Sequence, residues 1–191
     1  KLVDEAVTNW GGDAGDDCTA VIVSCRKAHA LTVLTGPPRD RALDEEVVEG
    51  FLKQEGCRAV CGAATSQMVS RVSRRPMKTS QRATSFTAPP EVRIEGIDLV
   101  TEGAVTLNQL NNIIDEDPSG FEDGAPVTKL YHLIMAADRI EFVVGDACNP
   151  GQGGISFVQN GILPRARVVD LLADRLRRKE KLVVVKGFND D

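Results

Sequence analysis

Four places along the chain set small or polar residues directly after an apolar run. They are Gly36-Pro37-Pro38, Gly62-Ala63-Ala64-Thr65-Ser66, Thr101-Glu102-Gly103 and Gly145-Asp146-Ala147-Cys148-Asn149. The second has the residues for holding an anion. Gly62 permits close approach, a helix opening at Ala63 and Ala64 offers unpaired amides and a positive dipole end, and Thr65 and Ser66 add hydroxyls. Neither GxxxxGK[ST] nor GxGxxG occurs, so this is not a Walker A or dinucleotide fingerprint, and a plain helix start stays open as the alternative. Glu102 follows its apolar run closely. A carboxylate there suits a ribose or sugar hydroxyl, or a neighbouring lysine. Asp146 and Asn149 occupy a comparable place, although Asn149-Pro150 also reads as a turn. Gly36 and Gly103 complete the candidate ligand-binding set, for a phosphate or a carboxylate.

A second kind of chemistry lies near the start. Asp13, Asp16 and Asp17 cluster before an apolar run, and hard cations such as Mg²⁺ or Mn²⁺ want oxygen ligands. A full site needs ligands from elsewhere, so a solvated acidic turn is the competing reading. Covalent chemistry is poorly provided for. The five cysteines (Cys18, Cys25, Cys57, Cys61 and Cys148) include no CxxC pair, which argues against a zinc site and a disulfide framework. With only His29 and His132 in the chain, no nucleophile–base pair can be read.

The elements that must position these residues follow from hydrophobic periodicity. Residues 1–17 are polar and turn-like, and 18–25 read as a buried strand. Ala30 to Leu34 is a second strand after a short break. Two strands so close cannot be parallel neighbours; they form a hairpin, one bent strand, or a junction between domains. Helix then alternates with strand. A helix over Asp44–Gln54, with Asp44 as N-cap and Gly56 beyond its end, precedes a strand at Arg58–Cys61. A helix through Met68, Val69 and Val72 leads to a basic, proline-bounded excursion over 73–90. Apolar residues between Val92 and Val100 come next, then a helix from Thr106, as cap, to Ile114. An acidic loop (115–124), a helix (126–137), a strand (140–144), a glycine-rich loop, a helix (165–178) and a strand (182–185) complete the chain. This alternation implies an α/β fold: a mostly parallel, doubly wound, Rossmann-like sheet with helices on both faces. In such sheets ligands bind beyond the carboxyl ends of the strands, near a switch in strand order.

Composition narrows the partners. Aromatics are 4% and the net charge is −5, so neither a base-stacking platform nor a basic nucleic-acid surface is expected. No run of 18 apolar residues exists, and Lys1-Leu2-Val3-Asp4-Glu5 is not a signal peptide. We expect a cytoplasmic protein with no membrane span.

Gly11-Gly12-Asp13-Ala14-Gly15-Asp16-Asp17-Cys18-Thr19 and the apolar residues after it resemble the closing motif of metal-dependent serine/threonine protein phosphatases. The likeness is to the bacterial branch named for stage II sporulation protein E. It implies that Asp16 is a ligand to Mn²⁺ or Mg²⁺, with Asp17 in the place of its partner. The later segments Leu34–Pro38, Val60–Thr65 and Gly96–Gly103 resemble an extension that follows such phosphatase domains. Ala63 and Ala64 or Ser66 depart from a second glycine and threonine often found there.

The resemblance divides the chain into a C-terminal phosphatase remnant (1–28), whose terminal strand leads into the α/β domain (29–191). The family's other metal aspartates belong upstream, so a dinuclear centre cannot be assembled from this chain alone. The expected parent is a phosphatase acting on a phosphoprotein, with this fragment inactive by itself. The α/β domain would be a regulatory module for a small phosphorylated or carboxylated metabolite. The alternatives are an independent enzyme or binding domain for a nucleotide or sugar phosphate, with Glu102 and Asp146 as acid/base candidates, or a homodimerisation module.

Overall fold

Ala30–Thr35 (β1) is the strand around which the sheet is built. Its last five residues are all buried, because helices cover both of its faces. In the computed structural model, which describes residues 1–9, 21–79, 92–147 and 161–188, β1 has parallel neighbours on both sides. Residues 2, 3, 6 and 7 are described by backbone only. Cys57–Cys61 (β2) lies on one side of β1 and Arg139–Val144 (β6) on the other, so that Val33 sits between Ala59 and Phe142. Leu99–Thr101 (β5) extends the sheet beyond β2, and Leu182–Gly187 (β7) extends it beyond β6. The order β5-β2-β1-β6-β7 is parallel throughout. Lys78–Thr79 (β3) and Val92–Arg93 (β4) pair antiparallel as a separate two-stranded piece.

Strand alternation sorts the core into two layers. Leu31, Val33, Ile140 and Phe142 point to one face. There they meet Ala104–Ile113 (α4), Pro126–Ala136 (α5) and Arg165–Arg178 (α6), through Leu107, Leu110, Leu130, Ile134 and Leu172. Leu34, Val60 and Val100 point the other way. They meet Asp44–Lys53 (α2) and Ala63–Ser73 (α3), through Val48, Phe51, Met68 and Val69. The chain is therefore doubly wound. α6 shows the sequence logic plainly: Val168, Val169, Leu172, Ala173 and Leu176 form one buried stripe, and three arginines, Arg175, Arg177 and Arg178, lie in the last turn, where they complement the dipole. Buried Asn108 ties the approach to α6 onto α4. Its side-chain amide donates to the Leu163 carbonyl at 3.0 Å, and its oxygen accepts the Leu163 N–H at 2.9 Å.

Several local expectations change. Leu2–Asn9 is a helix (α1), not a turn; Leu2, Val3, Ala6 and Val7 recur at helical spacing, with Asp4 and Glu5 in the first turn. The strand expected over 18–25 is not formed by its described part. Residues 21–25 are irregular and exposed, with Val21, Ile22 and Val23 at 81%, 79% and 79%. A strand needs a ladder partner, and no described residue pairs with them. Residues 18–20 lie outside the described residues. Asp44 is not an N-cap: a 3-10 turn over Arg41–Leu43, capped by Asp40, runs straight into α2, and the Asp44 carboxylate turns to Arg71. Thr106 is likewise no cap, because α4 starts two residues earlier, after Gly103. The chain from Val92 to Val100 divides at a turn through Glu95 and Gly96 into β4 and β5.

Candidate functional site

The order of the sheet reverses between β1 and β6, so a ligand crevice is expected where these two strands end. Backbone closes it instead. The ladder continues past the strands, with the Gly145 N–H on the Thr35 carbonyl at 2.8 Å and the Ala147 N–H on the Pro37 carbonyl at 3.2 Å. Gly145 makes this approach feasible, since a Cβ there would collide with the Pro37 and Gly36 carbonyl oxygens. Arg165, at the start of α6, donates to the Gly145 carbonyl at 2.9 Å. Asp146 is occupied as well. It accepts the Arg39 N–H at 2.7 Å, and the Arg39 side chain stands 3.7 Å from it.

The space opens one strand pair away. A cavity of about 350 Å³ lies at the outer edge of β5. Ala63, Ser66 and Gln67 of α3 and Met77, Thr79 and Val92 of the small hairpin line it, with Gly124, Pro126 and Lys129 at the start of α5. Leu99, Val100, Thr101 and Glu102 form its floor and rim. The lining is mainly aliphatic, with Gln67, Glu102 and Lys129 as its long polar side chains, the composition of a small-molecule pocket.

Comparison of the chain with family models, curated proteins and solved structures gives no match.

The predicted residues divide by what the structure has them do. Gly62 precedes α3 at φ +127°, a conformation that favours glycine, and its N–H donates to the Thr101 carbonyl at 2.8 Å. The ends of β2 and β5 are therefore held together, with Gly103 packed against Gly62. Ala63, Ser66 and Glu102 reach the cavity; Ala64 faces the other side of the α3 N-terminus. The hydroxyls expected to greet a ligand have other partners. Thr65, 1% exposed, accepts the Gly36 N–H at 2.9 Å and donates to the Cys61 carbonyl at 3.4 Å. The Ser66 hydroxyl turns back to the Gly62 carbonyl at 2.8 Å. Thr65 is thus a stitch between β1 and α3, and Gly36 a structural turn beside it.

Asp16, Asp17 and Asn149 lie outside the described residues, as do Asp13, Cys18 and Cys148. Among the described residues no three His, Cys, Asp or Glu side chains converge as a metal site requires. Cys25, Cys57 and Cys61 are free thiols, and burial pushes the Cys61 thiol up to about 11, so it is not a nucleophile near neutral pH. No described helix is long and apolar enough to cross a membrane.

Sequence reasoning missed Gln67, Met77, Thr79, Val92, Gly124 and Lys129 as lining residues. Gln67 had a signal: once a helix starts at Ala63, position 67 falls one turn along the same face. The hairpin and α5 residues had none, because they reach the cavity through tertiary packing.

Proposed function

We propose that residues 29–191 form a regulatory module that binds a small metabolite in the cavity at the carboxyl ends of β2 and β5. The observation that carries this reading is the cavity itself, about 350 Å³, with an aliphatic lining and three long polar side chains. Such a site binds by burying apolar surface and selects by a few polar contacts. Chemistry on the ligand has less support, because the described lining residues include no His or Cys and the Ser66 hydroxyl is bonded to the Gly62 carbonyl.

The likeness of residues 11–23 to the closing motif of metal-dependent serine/threonine phosphatases supports placing the module after such a catalytic domain. The parent would then act on a phosphoprotein with Mn²⁺ or Mg²⁺, and Asp16 would be one ligand.

Thermal unfolding against a panel of amphipathic metabolites tests the module. A ligand at 100 times its Kd adds about 2.7 kcal/mol, a rise of roughly 5–11 °C for a chain of this size. Ala63→Phe, which fills the cavity from the first turn of α3, should abolish the rise. A flat response to every compound, or a rise unchanged in Ala63→Phe, would overturn the assignment.

A further inference from the structure

The polar groups that the ends of β2 and β5 bring to the cavity share one property: they accept. Ser66, 2% exposed, spends its hydroxyl proton on the Gly62 carbonyl at 2.8 Å. Thr101, 7% exposed, spends its own on the Glu102 carbonyl at 3.1 Å. Each hydroxyl oxygen keeps acceptor capacity and has no proton left to give. The Gly62 N–H is used as well, on the Thr101 carbonyl at 2.8 Å.

Glu102 adds the charge. An ionised carboxylate only accepts. This one stands exposed at the rim, next to Thr101, and pairs with no described residue. Lys129, the only cation among the described lining residues, already has a partner. Behind these groups the lining is aliphatic, with Met77, Val92, Leu99 and Val100.

We propose that the cavity selects a primary ammonium carried on an apolar body, with Glu102 receiving the charge. An ammonium brings three donors and no acceptor, the complement of this set. Its apolar body lies against the aliphatic lining, while an anionic head would meet an unpaired carboxylate of its own sign. The inference rests on the cavity being the ligand site and names the ligand class. It departs from the phosphate or carboxylate expected from sequence, because the hydroxyls expected to donate to an anion are turned to backbone carbonyls.

Calorimetry of the 191-residue chain with 2-phenylethylamine, 2-phenylethanol and 3-phenylpropanoate sets three heads on one apolar body. The amine should bind about 5-fold tighter than the alcohol, the reach of one ion pair at an exposed rim, and the acid should bind weakest. The preference for the amine should shrink as salt rises. Glu102→Gln keeps the shape and removes the charge at an exposed position, so the fold is not endangered. In that variant the preference for the amine should largely vanish. If the alcohol binds and the amine gains nothing, or keeps its gain in Glu102→Gln, the ammonium site is refuted while the cavity reading stands. The same holds if the acid binds tightest, which would make the start of α3 the selecting group. If none of the three binds, both fall.

Discussion

Replacing Thr65 by valine tests whether its hydroxyl is a structural stitch or a ligand donor. Valine keeps the shape and removes the oxygen. In the wild type that oxygen accepts the buried Gly36 N–H at 2.9 Å and donates more weakly to the Cys61 carbonyl at 3.4 Å. Thr65 is 1% exposed, so water cannot easily take its place. The substitution loses one good hydrogen bond and leaves a buried amide unsatisfied, which together cost about 2 kcal/mol. With a urea m-value of about 2 kcal/mol/M, the unfolding midpoint should fall by roughly 1 M. Thr65→Ser keeps the hydroxyl and loses a methyl group, about 0.8 kcal/mol. Urea titrations of the three proteins give the comparison, with ligand affinity measured in parallel. A loss under about 0.5 kcal/mol in Thr65→Val, within the range of an inconsequential substitution, would refute the stitch. So would full stability with loss of ligand binding.

Two further predictions concern charges in the frame. Glu141 is 4% exposed on β6, with Arg139 at 3.0 Å and Lys186 at 2.8 Å. Both cations are about half exposed, so solvent screens them and Glu141→Gln should cost only about 1 kcal/mol by chemical denaturation; a cost above 3 would mean a far drier pair. The Arg26 guanidinium and the His29 N–H hold the Asp138 carboxyl well below the usual carboxylate range. A depressed carboxylate contributes stability fully above its unfolded value of about 3.9 and loses it as pH falls toward the folded value. Asp138→Asn should therefore flatten the decline of stability between about pH 4 and pH 2, and an unchanged slope would show that this pairing does not operate in solution.

Periodicity made most of the sheet and its helices legible. The bounds of α6 were readable to the residue because its apolar spacing and charged face agree, although Leu171, expected inward, is only half-buried and Ala173 is buried in the stripe. β1, β6 and β7 were readable as apolar runs, but β7 lies at the sheet edge and buries only Val183, with Leu182 62% exposed. The failures occur where local patterns compete. Asp44 and Thr106 are good capping residues, but each sits inside a helix that begins earlier, one continuing from a 3-10 turn and the other starting after Gly103. The run Val21-Ile22-Val23 has high strand propensity. Propensity cannot supply a ladder, and those residues stand exposed with no described partner.

The site was legible in kind and misplaced in detail, for one physical reason. Polar residues at strand ends can bind a ligand or bind each other, and sequence does not say which. Where β1 and β6 end, Gly145 lets the backbones close, and the half-buried Asp146 accepts the Arg39 amide. Where β2 ends, Thr65 is drawn inward by the Gly36 amide. Each of these contacts moves a predicted ligand group into the frame. What they leave outside is the first turn of α3, with the aliphatic cavity beside it. The same stitch that removes Thr65 from the binding set fixes α3 against β1, and so holds the helix start in position beside the cavity. A residue chosen from sequence as a ligand contact therefore serves as the support of the turn that would make the contact.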